Sequence, residues 1–140
     1  DLKVFVTAYK PPLTDIAVYG KFLADTDGDI FENKSWSKMT QSTDGAVFST
    51  DPFDVKEFEY SIPVSLQTDA YANGESFTVT SGAHLKADSE FPDDDILTYE
   101  TSGGVEHQTF KYFAVKLVLT SSAPEIVPMI NDLRAIALQK

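Results

Sequence analysis

The chain has 140 residues, 22 acidic against 11 basic side chains, a formal net charge of −11, and no cysteine. A surface this acidic repels phosphate, so nucleic acid and anionic membranes are excluded as expected partners. Without thiols there are no disulfides, zinc–thiolate sites, iron–sulfur clusters or cysteine nucleophiles, and the chain suits a reducing folding compartment. No apolar run approaches the ~18 residues of a membrane span, so no membrane insertion is expected. The apolar share is 42%, with ten Phe, six Tyr and one Trp. That is enough to fill one core, since a chain of this length buries roughly 70% of its extended surface on folding. The reading is therefore a single domain over 1–140. Its opening at Asp1, with no signal-like apolar segment, fits a piece of a longer polypeptide.

Leu2–Tyr9 reads LKVFVTAY, with Leu2, Val4, Val6 and Ala8 on one face, the period-two pattern of a strand. Pro11 and Pro12 end it. A second strand runs from Asp15 to Leu23, followed by the turn DTDGD, where Asp side chains can bond their own backbone and Gly28 can take positive φ. Trp36 lies in KSWSKMT, read as a strand or extended edge, and Gln41 to Pro52 reads as loop. In Val55–Ile62 the set Lys56, Phe58, Tyr60 and Ile62 forms the core face. Between Pro63 and Ser102 the pattern weakens, with a short strand at Ser76–Thr80 and another mixed with an acidic turn around Phe91 to Glu100.

Phe110–Ser121 is the strongest strand pattern. Both of its faces are largely apolar, the mark of a central strand covered on each side. The closing PEIVPMINDLRAIALQK fits helix and strand spacing equally. Many short strands, with Pro, Gly and Asp turns between them, give an all-β antiparallel β-sandwich or jelly roll.

Catalysis finds no support in these residues. Asp25, Asp27 and Asp29 invite a calcium reading, since hard cations take several oxygens from one loop. Their spacing misses the EF-hand pattern, and a tight acidic turn is favoured. Asp93–Asp95 reads as a solvated loop. His84 and His107 lie in no metal-binding spacing or nucleophile motif and read as surface residues. No cofactor is expected. The aromatics Tyr9, Tyr19, Trp36, Tyr60 and Tyr71 make a sugar-stacking platform if exposed, although alternating strands turn most of them inward. Trp36, Tyr71, His84 and Phe91 are the interface or ligand candidates.

Two blocks carry a family resemblance. One is LKVFVTAYKPPLTDIAVYGKFL with its Asp-rich turn and Trp36. The other is DPFDVKEFEYSI, completed by FKYFAVKLVLTSSAPEIVPMINDLRAIAL. Together they resemble a β-sandwich domain of virion structural proteins in contractile-tailed phages, especially marine and cyanobacterial myoviruses, where it serves in baseplates, tail fibres and related tail proteins. The match spans most of the chain except residues 63–104, which behave as a variable inserted region. The resemblance implies a final strand around Asp132 to Leu138. It implies synthesis in the host bacterial cytoplasm, residence in the virion tail, and oligomeric assembly with other tail or baseplate proteins. It leaves a host-surface glycan as the alternative partner, reached through a carbohydrate-binding role.

Overall fold

The computed structural model describes residues 2–43, 47–62, 76–79, 97–100, 105–108 and 110–137. The fold is all-β. Ten strands are described, together with one turn of 3-10 helix at Phe31–Asn33. They are β1 (Leu2–Tyr9), β2 (Thr14–Leu23), β3 (Ser37–Lys38), β4 (Thr40–Gln41), β5 (Lys56–Ser61), β6 (Ser76–Val79), β7 (Leu97–Glu100), β8 (Glu106–Gln108), β9 (Tyr112–Ser121) and β10 (Met129–Ala137). They form sheets in the orders β10-β1-β5-β4, β3-β2-β9 and β6-β7-β8.

The chain divides into two compact units. One holds Gly20–Ser37 with the described residues between 76 and 114. The other holds Leu2–Tyr19, Lys38–Ile62 and the chain from Val115 onward. The division falls within β2 and β9.

The second unit is a sandwich. Leu2, Val4, Val6 and Ala8 of β1 and Phe58 of β5 are fully buried, and Tyr60 nearly so. They share one face because β1 and β5 pair antiparallel with Val4 opposite Tyr60 and Val6 opposite Phe58. Ile16 and Val18 of β2 are also buried, and the Tyr60 hydroxyl donates to the Ile16 carbonyl at 2.9 Å. This bond satisfies the one polar atom that Tyr60 takes into the core.

On its other side β1 pairs antiparallel with β10, with a register shift between Thr7 and Ala8. β10 settles the ambiguity of the last segment as a strand, in keeping with the resemblance, and begins at Met129, directly after Pro128. The expectation for residues 110–121 needs correction. Among the described residues β9 lies at the edge of its sheet, and none of its own residues is buried. Apolar residues on both faces identify a strand; they do not determine whether a neighbour covers it.

Among the described residues of the first unit, Phe22, Leu23 and Ala24 are buried. Phe22 is 1% exposed, and its ring lies 5.2 Å from that of Phe110, which in turn meets Phe113 edge-on at 5.8 Å. The Lys111 amide donates to the Leu23 carbonyl and ties these segments together.

Candidate functional site

The Asp-rich turn is organised from within. Its backbone closes with the Asp27 amide donating to Ala24, and the Asp29 amide donates to the Asp27 carboxylate at 3.0 Å. Asp29 also accepts from the Ile30 amide and the Asn33 side-chain amide. Those bonds, the Ile30 amide foremost, followed by the Lys34 ammonium, hold its carboxyl below the usual range. Lys34 supplies the cation. Its ammonium sits 2.7 Å from Asp27 and 3.1 Å from Asp29. Asp25 turns elsewhere and pairs with Lys111. The three carboxylates thus diverge onto two internal ammonium groups. Gly28 does not adopt positive φ, contrary to the turn reading, and a side chain there would meet open space.

Trp36 is half-buried. The Lys21 ammonium lies 5.4 Å above its ring and 4.9 Å above that of Phe31, and donates to the Glu32 carbonyl. Aromatic faces hold an ammonium in this way through the negative potential of the ring. One face of the Trp36 ring is therefore occupied by a side chain of the same unit. Tyr9 and Tyr19 are half-buried and Tyr60 is buried. Lys116 caps the ring of Tyr19 at 5.0 Å. Tyr71, His84, Phe91 and Asp93–Asp95 lie outside the described residues.

His107 was expected at the surface and is instead 7% exposed, with its Nδ1 3.1 Å from the Thr26 hydroxyl. A shared hydrogen bond lets a histidine be buried without a metal. Among the described residues no three His, Cys, Asp or Glu side chains converge to hold a metal ion. An open depression of about 350 Å³ is lined by Asp15, Lys38, Gln41 and Tyr60 among others. The Tyr60 hydroxyl on its wall is already committed to Ile16.

The prominent surface features are apolar. Val118 and Leu119 of β9 are 37% and 41% exposed, and Met129, Leu133 and Ile136 of β10 are 49%, 43% and 44% exposed. Phe53 is 93% exposed. It rides on a turn fixed by its own amide donating to Asp51 and by the Thr50 amide donating to Asp54. Sequence reasoning missed these surfaces. Phe53 had a signal in DPFD, where Asp and Pro build a turn that presents whatever lies between them. No protein-family model matches the chain, and comparison with curated proteins and with solved structures finds no match.

Proposed function

We propose that this chain is a structural module of a phage tail, in the baseplate or a tail fibre, acting through protein–protein contacts in assembly. The carrying observation is that β9 and β10 are edge strands among the described residues, each presenting exposed apolar side chains. Sheet edges with unpaired backbone groups and uncovered apolar residues are docking surfaces unless something blunts them. The sequence blocks that resemble tail domains include both of these strands. The lysine over one face of Trp36 supports this reading over sugar binding, because it reduces the bare ring surface on which a sugar stacks.

Cryo-electron microscopy of the particle carrying this chain tests the proposal. The expected map shows neighbouring particle proteins packed on β9, β10 and the Phe53 turn. A domain that projects with both edges bare, or a chain missing from purified particles, refutes it. Replacing residues 63–104 with a short linker tests the expectation that this region makes partner or host contacts. Unchanged assembly and unchanged host adsorption would sink that part.

A further inference from the structure

β10 is a nine-residue edge strand in which every residue is exposed, and among the described residues it pairs on one side only, with β1. Leu133 stands opposite Val6, which is fully buried, so the two share the inner face of the sheet. Yet Leu133 is 43% exposed where Val6 is fully buried. On the opposite face Asp132 and Arg134 flank Leu133 symmetrically, one acidic and one basic, about half exposed at 56% and 53%. No Pro or Lys interrupts the strand, although these are the residues that commonly protect an edge from pairing.

We propose that two copies of this chain join edge to edge through β10, antiparallel about a two-fold axis that passes at Leu133. In that register Leu133 meets Leu133 of the second copy, and each Asp132 stands opposite an Arg134. The strand's charge order is its own complement under the two-fold, which is what an isologous contact requires. Opposite charges directly across an antiparallel pair attract, whereas like charges repel. A parallel pairing in register would set Asp132 against Asp132 and Arg134 against Arg134. Within its own chain Arg134 pairs with Glu57 on β5 and with Asp132 at 3.4 Å and lies 5.3 Å over the ring of Phe5, so in the dimer its guanidinium turns from these contacts to the Asp132 of the second copy. The register shift at Thr7/Ala8 confines regular pairing to the part of the strand around Leu133. The dimer joins two four-stranded sheets into one and covers the uncovered leucines. It does not depend on where the chain works. A dimer from a chain that enters no particle leaves the pairing intact and removes only the tail reading.

The test uses the full chain in solution. Sedimentation equilibrium is expected to show a monomer–dimer equilibrium. Because the chain has no cysteine, Leu133→Cys introduces a single thiol, and across an antiparallel pair the two Cα atoms stand about 4.5–5.5 Å apart, within disulfide reach. That variant is expected to cross-link to a dimer on oxidation. Asp132→Cys alone is not, while a mixture of Asp132→Cys with Arg134→Cys is. Asp132→Arg is expected to weaken association about tenfold, by turning two attractive pairs into repulsive ones. The double exchange D132R/R134D is expected to restore association to within about threefold, because it recreates the same pairs in reverse. Both side chains are exposed, and circular dichroism verifies that each variant is folded. A chain that stays monomeric, a Leu133→Cys variant that does not cross-link, or a double exchange no better than the single one overturns the proposal.

Discussion

The ammonium of Lys34 meets the carboxylate of Asp27 at 2.7 Å with both side chains almost out of solvent, at 1% and 5% exposure. An ion pair at this depth gives up hydration on both partners, so its value to stability lies in each partner being present. Here the pair also accounts for an acidic turn that the sequence offers as a calcium loop.

Lys34→Met is expected to destabilise the fold by about 3–5 kcal/mol, because it leaves the Asp27 carboxylate buried without its cation. Asp27→Asn is expected to cost less, since the buried Lys34 ammonium keeps Asp29 at 3.1 Å as its counterion. Urea unfolding of the two variants checks the order. Calcium added to the unaltered protein is expected to leave its melting temperature unchanged, since the ion would have to displace the ammonium. A calcium-dependent rise would show that the turn opens to a metal.

Tyr60 gives the pH dependence. Its burial foremost, and the nearby Asp15 charge, push the hydroxyl up to about 12. An unfolded chain releases this proton near pH 10, whereas the folded chain retains it. Stability is therefore unaffected below about pH 10 and is expected to fall as pH rises from about 10 towards 12. Tyr60→Phe is expected to lose about 1–2 kcal/mol at neutral pH, with the Ile16 carbonyl left without its donor, and to flatten the alkaline fall. Urea midpoints across that range test both, and an unchanged alkaline slope in Tyr60→Phe would assign the dependence to another group.

Much of the fold is legible in period two. Leu2, Val4, Val6 and Ala8, and Phe58 with Tyr60, alternate in the sequence and are the residues that are buried. What alternation does not carry is the neighbour. β9 reads as central and is an edge because sheet order is decided by long-range pairing. The last segment balances between helix and strand until β1 supplies a partner for β10. Charge does not fix burial either. Lys34 and Lys21 are buried because Asp27 and the Phe31 and Trp36 rings bring them inside. His107 reads as a surface residue because its bond to Thr26 spans 81 positions. Of the candidate site, Trp36 and the Asp-rich turn were nameable; their occupation by internal ammonium groups was not.

Leu13 has φ of 69°, in the left-handed region that a branched side chain occupies at a cost. It is the third residue of a turn closed by the Thr14 amide on the Pro11 carbonyl, with Pro12 ahead of it, the arrangement that demands positive φ at this position. The Ser122 amide and hydroxyl both bond the Leu13 carbonyl and hold it there. Leu13 is 61% exposed, so its removal forfeits little packing. Leu13→Gly is expected to raise stability by about 0.5–1 kcal/mol, the relieved strain outweighing the added freedom of the unfolded chain. Leu13→Val is expected to lower it. Thermal midpoints of the pair decide, and a destabilising glycine would mean that the exposed leucine packs in a way the strain argument omits.

Gly20 and Phe22 lie on the same face of β2, two residues apart. A Cβ on Gly20 would fall 2.6 Å from Cζ and 2.9 Å from Cε2 of the Phe22 ring, inside van der Waals contact. The ring cannot swing away freely, being 1% exposed and packed 5.2 Å from Phe110. Gly20→Ala is therefore expected to destabilise by about 1–3 kcal/mol through overpacking, despite the better strand propensity of alanine. Phe22→Leu removes the ring atoms in question and by itself costs stability through lost burial. Combined, the two substitutions are expected to cost about 1 kcal/mol less than the sum of the singles, because the methyl group and the ring compete for one volume. Chemical denaturation of the four members of the cycle measures that coupling. Strict additivity would mean that the backbone at Gly20, rather than the Phe22 ring, is what excludes a side chain.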